Sequence, residues 1–343
     1  MRRAWHTISL GFAAGLISLS PLFGNNVEAA TSLNLRPVVK VEGQIQTWLN
    51  VGMETMTGHT TYQIGYPAVD RNGLGQDGYF PFSELEFPLD TTYATAHLLG
   101  IYDDRWVFNV TAKKNITDQD DDMIDKDWLT ASNPSQLDVY SDSNVTSFDG
   151  LIVDVDLSHK LVDKSWGWMA GGVGFMYEKF DYATALKTQY SPSGYPGVYF
   201  EGANYDTLLY EVSYYMPYLL GSIHLEPSQK FTLDARLGYA PYVKAEDRDQ
   251  HLLRYKENTG DMEGWAATAS VSASYYFTPY WFAAAGLNHT TIDVEGDMSA
   301  SFYGVYDHTV TEKATSSQTS AFLTAGYRFG PFTQENGEKH ERP

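Results

Sequence analysis

The chain has 343 residues, 43 acidic against 23 basic, and a formal charge of −20. Such a surface excludes nucleic acid as a partner and favours cationic peptides or proteins, whose local concentration and encounter rate an acidic mouth raises. Cysteine is absent, which excludes a disulfide framework, and 25 Tyr, 17 Phe and 8 Trp are spread through a polar background, the composition of a membrane β-barrel.

Arg2 and Arg3 precede an apolar run from Ile8 to Phe23 that ends in Val27-Glu28-Ala29, the pattern of a secretory signal peptide. Residues 1–29 are expected to be removed, leaving an envelope or extracellular protein. Ten strands follow, expected near 43–58, 82–100, 105–116, 146–160, 166–182, 206–225, 230–244, 263–277, 281–295 and 318–330. The two-residue period is plainest late in the chain. Ala267, Ala269, Val271, Ala273, Tyr275 and Phe277 alternate with Thr268, Ser270, Ser272, Ser274 and Tyr276. The segments Phe231 to Tyr239 and Ala321 to Phe329 alternate in the same way. A soluble sandwich would bury the apolar face as its core, whereas an outer-membrane barrel would turn it to lipid. Aromatics at strand ends, among them Trp281, Tyr327 and Phe329, resemble interfacial girdles and favour the barrel.

The links alternate between tight turns, at 103–104, 162–164, 226–229 and 278–280, and long loops at 59–81, 117–145, 183–205, 245–262 and 296–317. Short turns at one end and long loops at the other give an all-β fold, a ten-stranded antiparallel transmembrane β-barrel. Several strands exceed the roughly nine to eleven residues needed to cross the hydrocarbon region, so they should extend above the outer membrane. The barrel is assigned to 30–332 and a polar, unordered tail to 333–343. Its narrow interior is expected to be filled by polar side chains.

Two motifs fall at the long-loop end. Asp125-Lys126-Asp127-Trp128 is followed by Ser132-Asn133-Pro134, and Asp249-Gln250-His251 lies about a hundred residues later. Residues at i and i+2 of an extended chain point to the same side, so an acid pair can face an acid and a base. That set suits activating a water and passing on its proton. The bland alternative is a solvated acidic loop, since Asp118 to Asp122 precede the first motif. A calcium loop counted from Asp118 fails, with Met123 where Gly is needed and Leu129 where a bidentate Glu is needed. No metal-ligand spacing occurs. His159, His224, Asp307 and His308 are read as structural.

Together these motifs resemble the omptin family of outer-membrane endopeptidases. Asp-x-Asp-Trp with Ser-Asn-Pro appears as Asp125 to Pro134 and the second motif as Asp247 to His251. Weaker matches follow at Met216-Pro217-Tyr218, Tyr306-Asp307-His308 and Ala325 to Phe329. The resemblance implies a dyad of Asp249 and His251 facing Asp125 and Asp127, with no covalent intermediate and no cofactor. It also implies an active site facing the extracellular side and a cleft in which two acids select a basic substrate residue. Asp247 matches one of these acids, but the other aligns with Tyr62 or Gln63. The family depends on lipopolysaccharide, for which Lys179 fits one basic position while Ser213 stands where an arginine is expected. The rival readings are an inactive barrel serving as adhesin or receptor and, on the barrel plan alone, a small porin.

Overall fold

A computed structural model describes residues 45–66, 79–119 and 121–329. The expected signal 1–29 and tail 333–343 lie outside the described residues. Thirteen strands form one antiparallel sheet: β1 (Ile45–Tyr66), β2 (Tyr79–Pro88), β3 (Thr91–Tyr102), β4 (Trp106–Asn115), β5 (Met123–Asp127), β6 (Val139–Lys164), β7 (Gly167–Tyr190), β8 (Phe200–Glu201), β9 (Leu208–Ser228), β10 (Phe231–His251), β11 (Lys256–Tyr276), β12 (Trp281–Phe302) and β13 (Val305–Phe329). β2 and β3 are upper and lower parts of one stave, both paired to β1, and β4 and β5 are likewise both paired to β6. With the two-residue β8 set aside, the staves number ten, and the pairings β13–β1 and β6–β7 close the ring.

The alternating strands place their apolar face outward. Leu237, Val271 and Leu323 are 68 %, 54 % and 67 % exposed, whereas Arg236, Ser272 and Thr324 line an interior cavity of about 1180 Å³. A soluble sandwich would show the reverse, so this outer face is built for lipid. Further up the wall the outward positions turn charged, at Lys244 and Glu246 on β10 and at Glu295 and Asp297 on β12. The upper interior differs from expectation. Phe87, Tyr93, Phe180, Tyr182, Tyr210 and Tyr214 are all buried there, with Phe87 stacked on Tyr210 at 4.4 Å between centroids. Aromatic packing rather than polar side chains fills this level, because rings from opposite walls can reach each other across so narrow a barrel.

Most of the expected long loops are strand. β10 continues to His251 and β11 begins at Lys256, while β12 and β13 are joined by a turn at 303–304. Above the apolar band the outer face meets water, so hydropathy stops alternating although the pleat continues.

Candidate active site

A register shift on β10 aims the second motif. Up to Ala240 the even-numbered residues face inward; the pairing with β11 then skips from Ala240 to Val243 across Pro241 and Tyr242. Proline cannot donate to the ladder, and an irregularity of this kind re-aims the side chains that follow. Beyond it the odd-numbered positions face in, so Val243, Ala245, Asp247 and Asp249 are buried while Lys244, Glu246 and Arg248 point out. Without the shift the acids of this strand would lie on the outer wall.

Asp249 is 1 % exposed and its Oδ2 lies 2.9 Å from His251 Nε2. Asn258, its cross-strand partner on β11, donates its side-chain amide to the same oxygen at 3.0 Å. Burial pushes the Asp249 carboxyl up, but the charge and hydrogen bond of His251, aided by Asn258, outweigh it and hold the group below its ordinary range. Asp249 therefore stays ionised and orients the imidazole.

Asp125 and Asp127 lie on β5, not in a loop, paired to Leu85 and Ser83 of β2 and to Ser141 and Val139 of β6. Their i, i+2 spacing puts both on one face. Burial first, and then the charge of Asp127, raises Asp125 well above the carboxylate range; burial also raises Asp127. Asp125 feels the charge of Asp249 and Asp127 that of His251, so both motifs share one electrostatic site. Two raised carboxyls on one face titrate as a unit, and both are shifted toward holding protons to higher pH than a free carboxyl does.

The chain leaving Asp127 is clamped. The Trp128 amide donates to Phe82 O at 2.8 Å, and the Tyr79 hydroxyl donates to the Trp128 carbonyl. Asp138 Oδ2 accepts the amides of Leu129 at 2.9 Å and Thr130 at 2.7 Å, while Oδ1 accepts from Gln136 at 2.8 Å and Ser193 at 2.6 Å. Ser-Asn-Pro is thus the turn that returns the chain to β6, which gives the motif a positioning role.

Asp247 has an unforeseen companion. Glu312 of β13, fully buried, sits beside it across Gly260, where a Cβ would stand 1.9 Å from Glu312 Oε2 and 2.5 Å from Asp247 Oδ1. Burial, with the charge of Asp249 adding to it, pushes Asp247 up to about 6. Burial and the charge of Asp247 raise Glu312 well above its usual value. Glu312 gave no signal in the sequence because it stands in a polar stretch that reads as loop.

Tyr62 is buried against the same group, with Asp249, Glu312 and Asp247 all acting on its hydroxyl, which donates to Met298 Sδ at 2.8 Å. Lys179 lies apart and is engaged by Asp181 at 3.3 Å and Glu211 at 3.1 Å. His224 is hydrogen-bonded to Asp234 at 2.7 Å and stacked on Trp168, as a structural histidine should be. Among the described residues no cluster suited to a metal ion occurs. The large cavity lies in the lumen, lined by residues such as Trp48, Asn109 and Arg236, and does not include the acid cluster.

The omptin family profile matches residues 89–330. No curated protein sequence matches the chain. Among solved structures, the outer membrane protease OmpT from Escherichia coli is similar at 16 % identity and a TM-score of 0.66, over 83 % of this chain and 97 % of that one. OprG from Pseudomonas aeruginosa aligns at 11 % identity and a TM-score of 0.36, over 85 % of this chain and 100 % of that one. The profile match spans well over half of the chain, both motifs included, and the barrel is the one those motifs imply: the chain belongs to the omptin family.

Proposed function

We propose that the protein is an outer-membrane endopeptidase that cleaves peptides or proteins beside basic residues with an activated water, its site facing the extracellular side. The observation that carries this reading is the buried Asp249 holding His251 by Nε2 in one electrostatic site with Asp125 and Asp127, whose carboxyls burial raises. His251 takes a proton from the water as its oxygen attacks the scissile carbonyl. The Asp125/Asp127 pair gives a proton to the carbonyl oxygen as charge develops there. On collapse the C–N bond breaks, the imidazolium proton passes to the leaving amine, and the carboxyl pair recovers its own, so no covalent intermediate or cofactor is needed. The E. coli structure similar to this chain is that of a protease, which supports the reaction class.

Asp247 and Glu312 are suited to hold the basic side chain. Two carboxyls buried side by side repel once both ionise, and a guanidinium or ammonium between them relieves this while gaining charge-assisted hydrogen bonds. Tyr62 forms the wall where the family's other acid is expected, and Glu312 supplies the second carboxyl from β13. Lipopolysaccharide dependence is proposed in weakened form, since Lys179 would have to leave Asp181 and Glu211 to meet a phosphate.

The test is cleavage of a mixed peptide library by refolded wild type and His251→Ala, with and without lipopolysaccharide, read by mass spectrometry. Cuts beside Arg or Lys made only by wild type are expected; equal cutting by both proteins refutes the reading.

A further inference from the structure

The imidazole of His251 is held at both nitrogens. Asp249 takes Nε2 at 2.9 Å, and Arg254 Nη2 lies 2.7 Å from Nδ1. An arginine has donors and no acceptor, so in this contact Nδ1 accepts while Nε2 faces the Asp249 carboxylate. Nδ1 is then the one ring position able to receive a proton from water, and it is covered by the protein's own guanidinium.

The local chain makes the cover stationary at its root and free at its tip. Leu252–Arg254 forms one 3-10 turn directly after the last residue of β10. The Leu252 amide donates to Thr207 O at 3.0 Å. On the other side Tyr255, at φ 49°, stacks on Tyr303 at 5.0 Å between centroids. The backbone is fixed on both flanks of Arg254, whereas the Arg254 side chain is exposed. Its positive charge also acts on Asp125 and Asp127, so a destination for the displaced guanidinium lies across the cleft.

We propose that Arg254 is a latch on the general base: at rest it caps His251 Nδ1 and fixes the tautomer, and substrate entry swings it away so that water can take its place. It is a positioning residue, acting through His251. The idea rests on the reading of Asp249 and His251 as the water-activating dyad. The charges around His251 are Asp249 on its own strand, Asp125 and Asp127 on β5, Arg254 on the turn and Lys256 on β11, with Asp307 acting on Lys256 from beyond. Of these, Arg254 alone touches Nδ1 among the hydrogen bonds found for the described residues.

Two consequences with opposite effects on rate follow from removing the cap, and together they separate a latch from a structural arginine. In Arg254→Met the base is open, so kcat/KM on the plateau should rise roughly tenfold, the worth of one charge-assisted hydrogen bond no longer broken on entry. The same loss removes a positive neighbour, so the imidazole protonates more readily and the acidic limb of the pH profile should move up by about half a unit to one unit. The two profiles therefore cross. Arg254→Lys, which keeps the charge, should leave the limb near its wild-type position. The measurement is kcat/KM from pH 5 to 9 on a fluorogenic peptide with one Arg, for wild type, Arg254→Met, Arg254→Lys and His251→Ala. A slower Arg254→Met at every pH, or an unmoved limb, overturns the latch while an inactive His251→Ala leaves the dyad standing. Cleavage surviving in His251→Ala removes the dyad itself.

Discussion

Asp247→Asn puts the acid pair to a quantitative test. In the folded protein burial carries the Asp247 carboxyl from 3.8 to about 6. The unfolded chain therefore gives up this proton first as pH rises, and between those values the folded state binds more protons. By linkage, stability that is fully present below pH 3.8 is lost as pH climbs to about 6. A shift of about two units corresponds to about 3 kcal/mol, and because the group is buried solvent screening does not reduce it. Asparagine cannot ionise, so the variant lacks this loss. The gap in unfolding free energy between variant and wild type should therefore widen by about 3 kcal/mol in the variant's favour from pH 3 to pH 8. The assay is guanidinium unfolding of the barrel in detergent, followed by tryptophan fluorescence at each pH. On the functional side, KM of wild type for an Arg peptide should fall as pH rises through about 6, since the cation meets an ionised carboxylate. The variant should show no such dependence and should lose roughly 10- to 100-fold in its preference for Arg over a neutral residue. Parallel stability curves for the two proteins, together with an unchanged preference, refute the assignment of Asp247.

Three further outcomes follow from the site. Gly260→Ala places a methyl group 1.9 Å from Glu312 Oε2, so the carboxyls must separate, and selectivity for Arg and Lys in a peptide competition should fall while cleavage of neutral sites survives. Asp125→Asn removes a carboxyl whose folded pKa is raised, a group that costs stability as pH rises; the variant should resist alkaline unfolding better than wild type while kcat drops roughly 100-fold or more. Asp138→Ala frees the amides of Leu129 and Thr130, and hydrogen exchange across 128–138 should speed up with a loss of about 1–3 kcal/mol in local opening free energy.

The fold was legible wherever lipid imposes a contrast. On β10 to β13 the lower residues alternate because one face meets hydrocarbon and the other a polar lumen, and those staves are found close to where the pattern puts them. Their upper halves escaped detection because charged residues such as Glu246 and Arg248 face water while Asp247 and Asp249 face the cleft, and a pattern polar on both sides reads as loop. The i, i+2 spacing placed Asp125 with Asp127 and Asp249 with His251 correctly, since it depends on the pleat alone. Glu312 was out of reach for the opposite reason. Its partner Asp247 comes from a strand separated from β13 by β11 and β12, a proximity set by the curvature of the barrel and by the absence of a side chain at Gly260.

The aromatic layer of Phe87, Tyr182 and Tyr210 has a bearing on traffic through the molecule. These rings pack on one another, and the lining of the 1180 Å³ lumen includes neither them nor any member of the acid cluster. On the proposed reading, a peptide held at the acid cluster is met by residues that take no part in lining the lumen, so cleavage makes no use of the bore of the barrel.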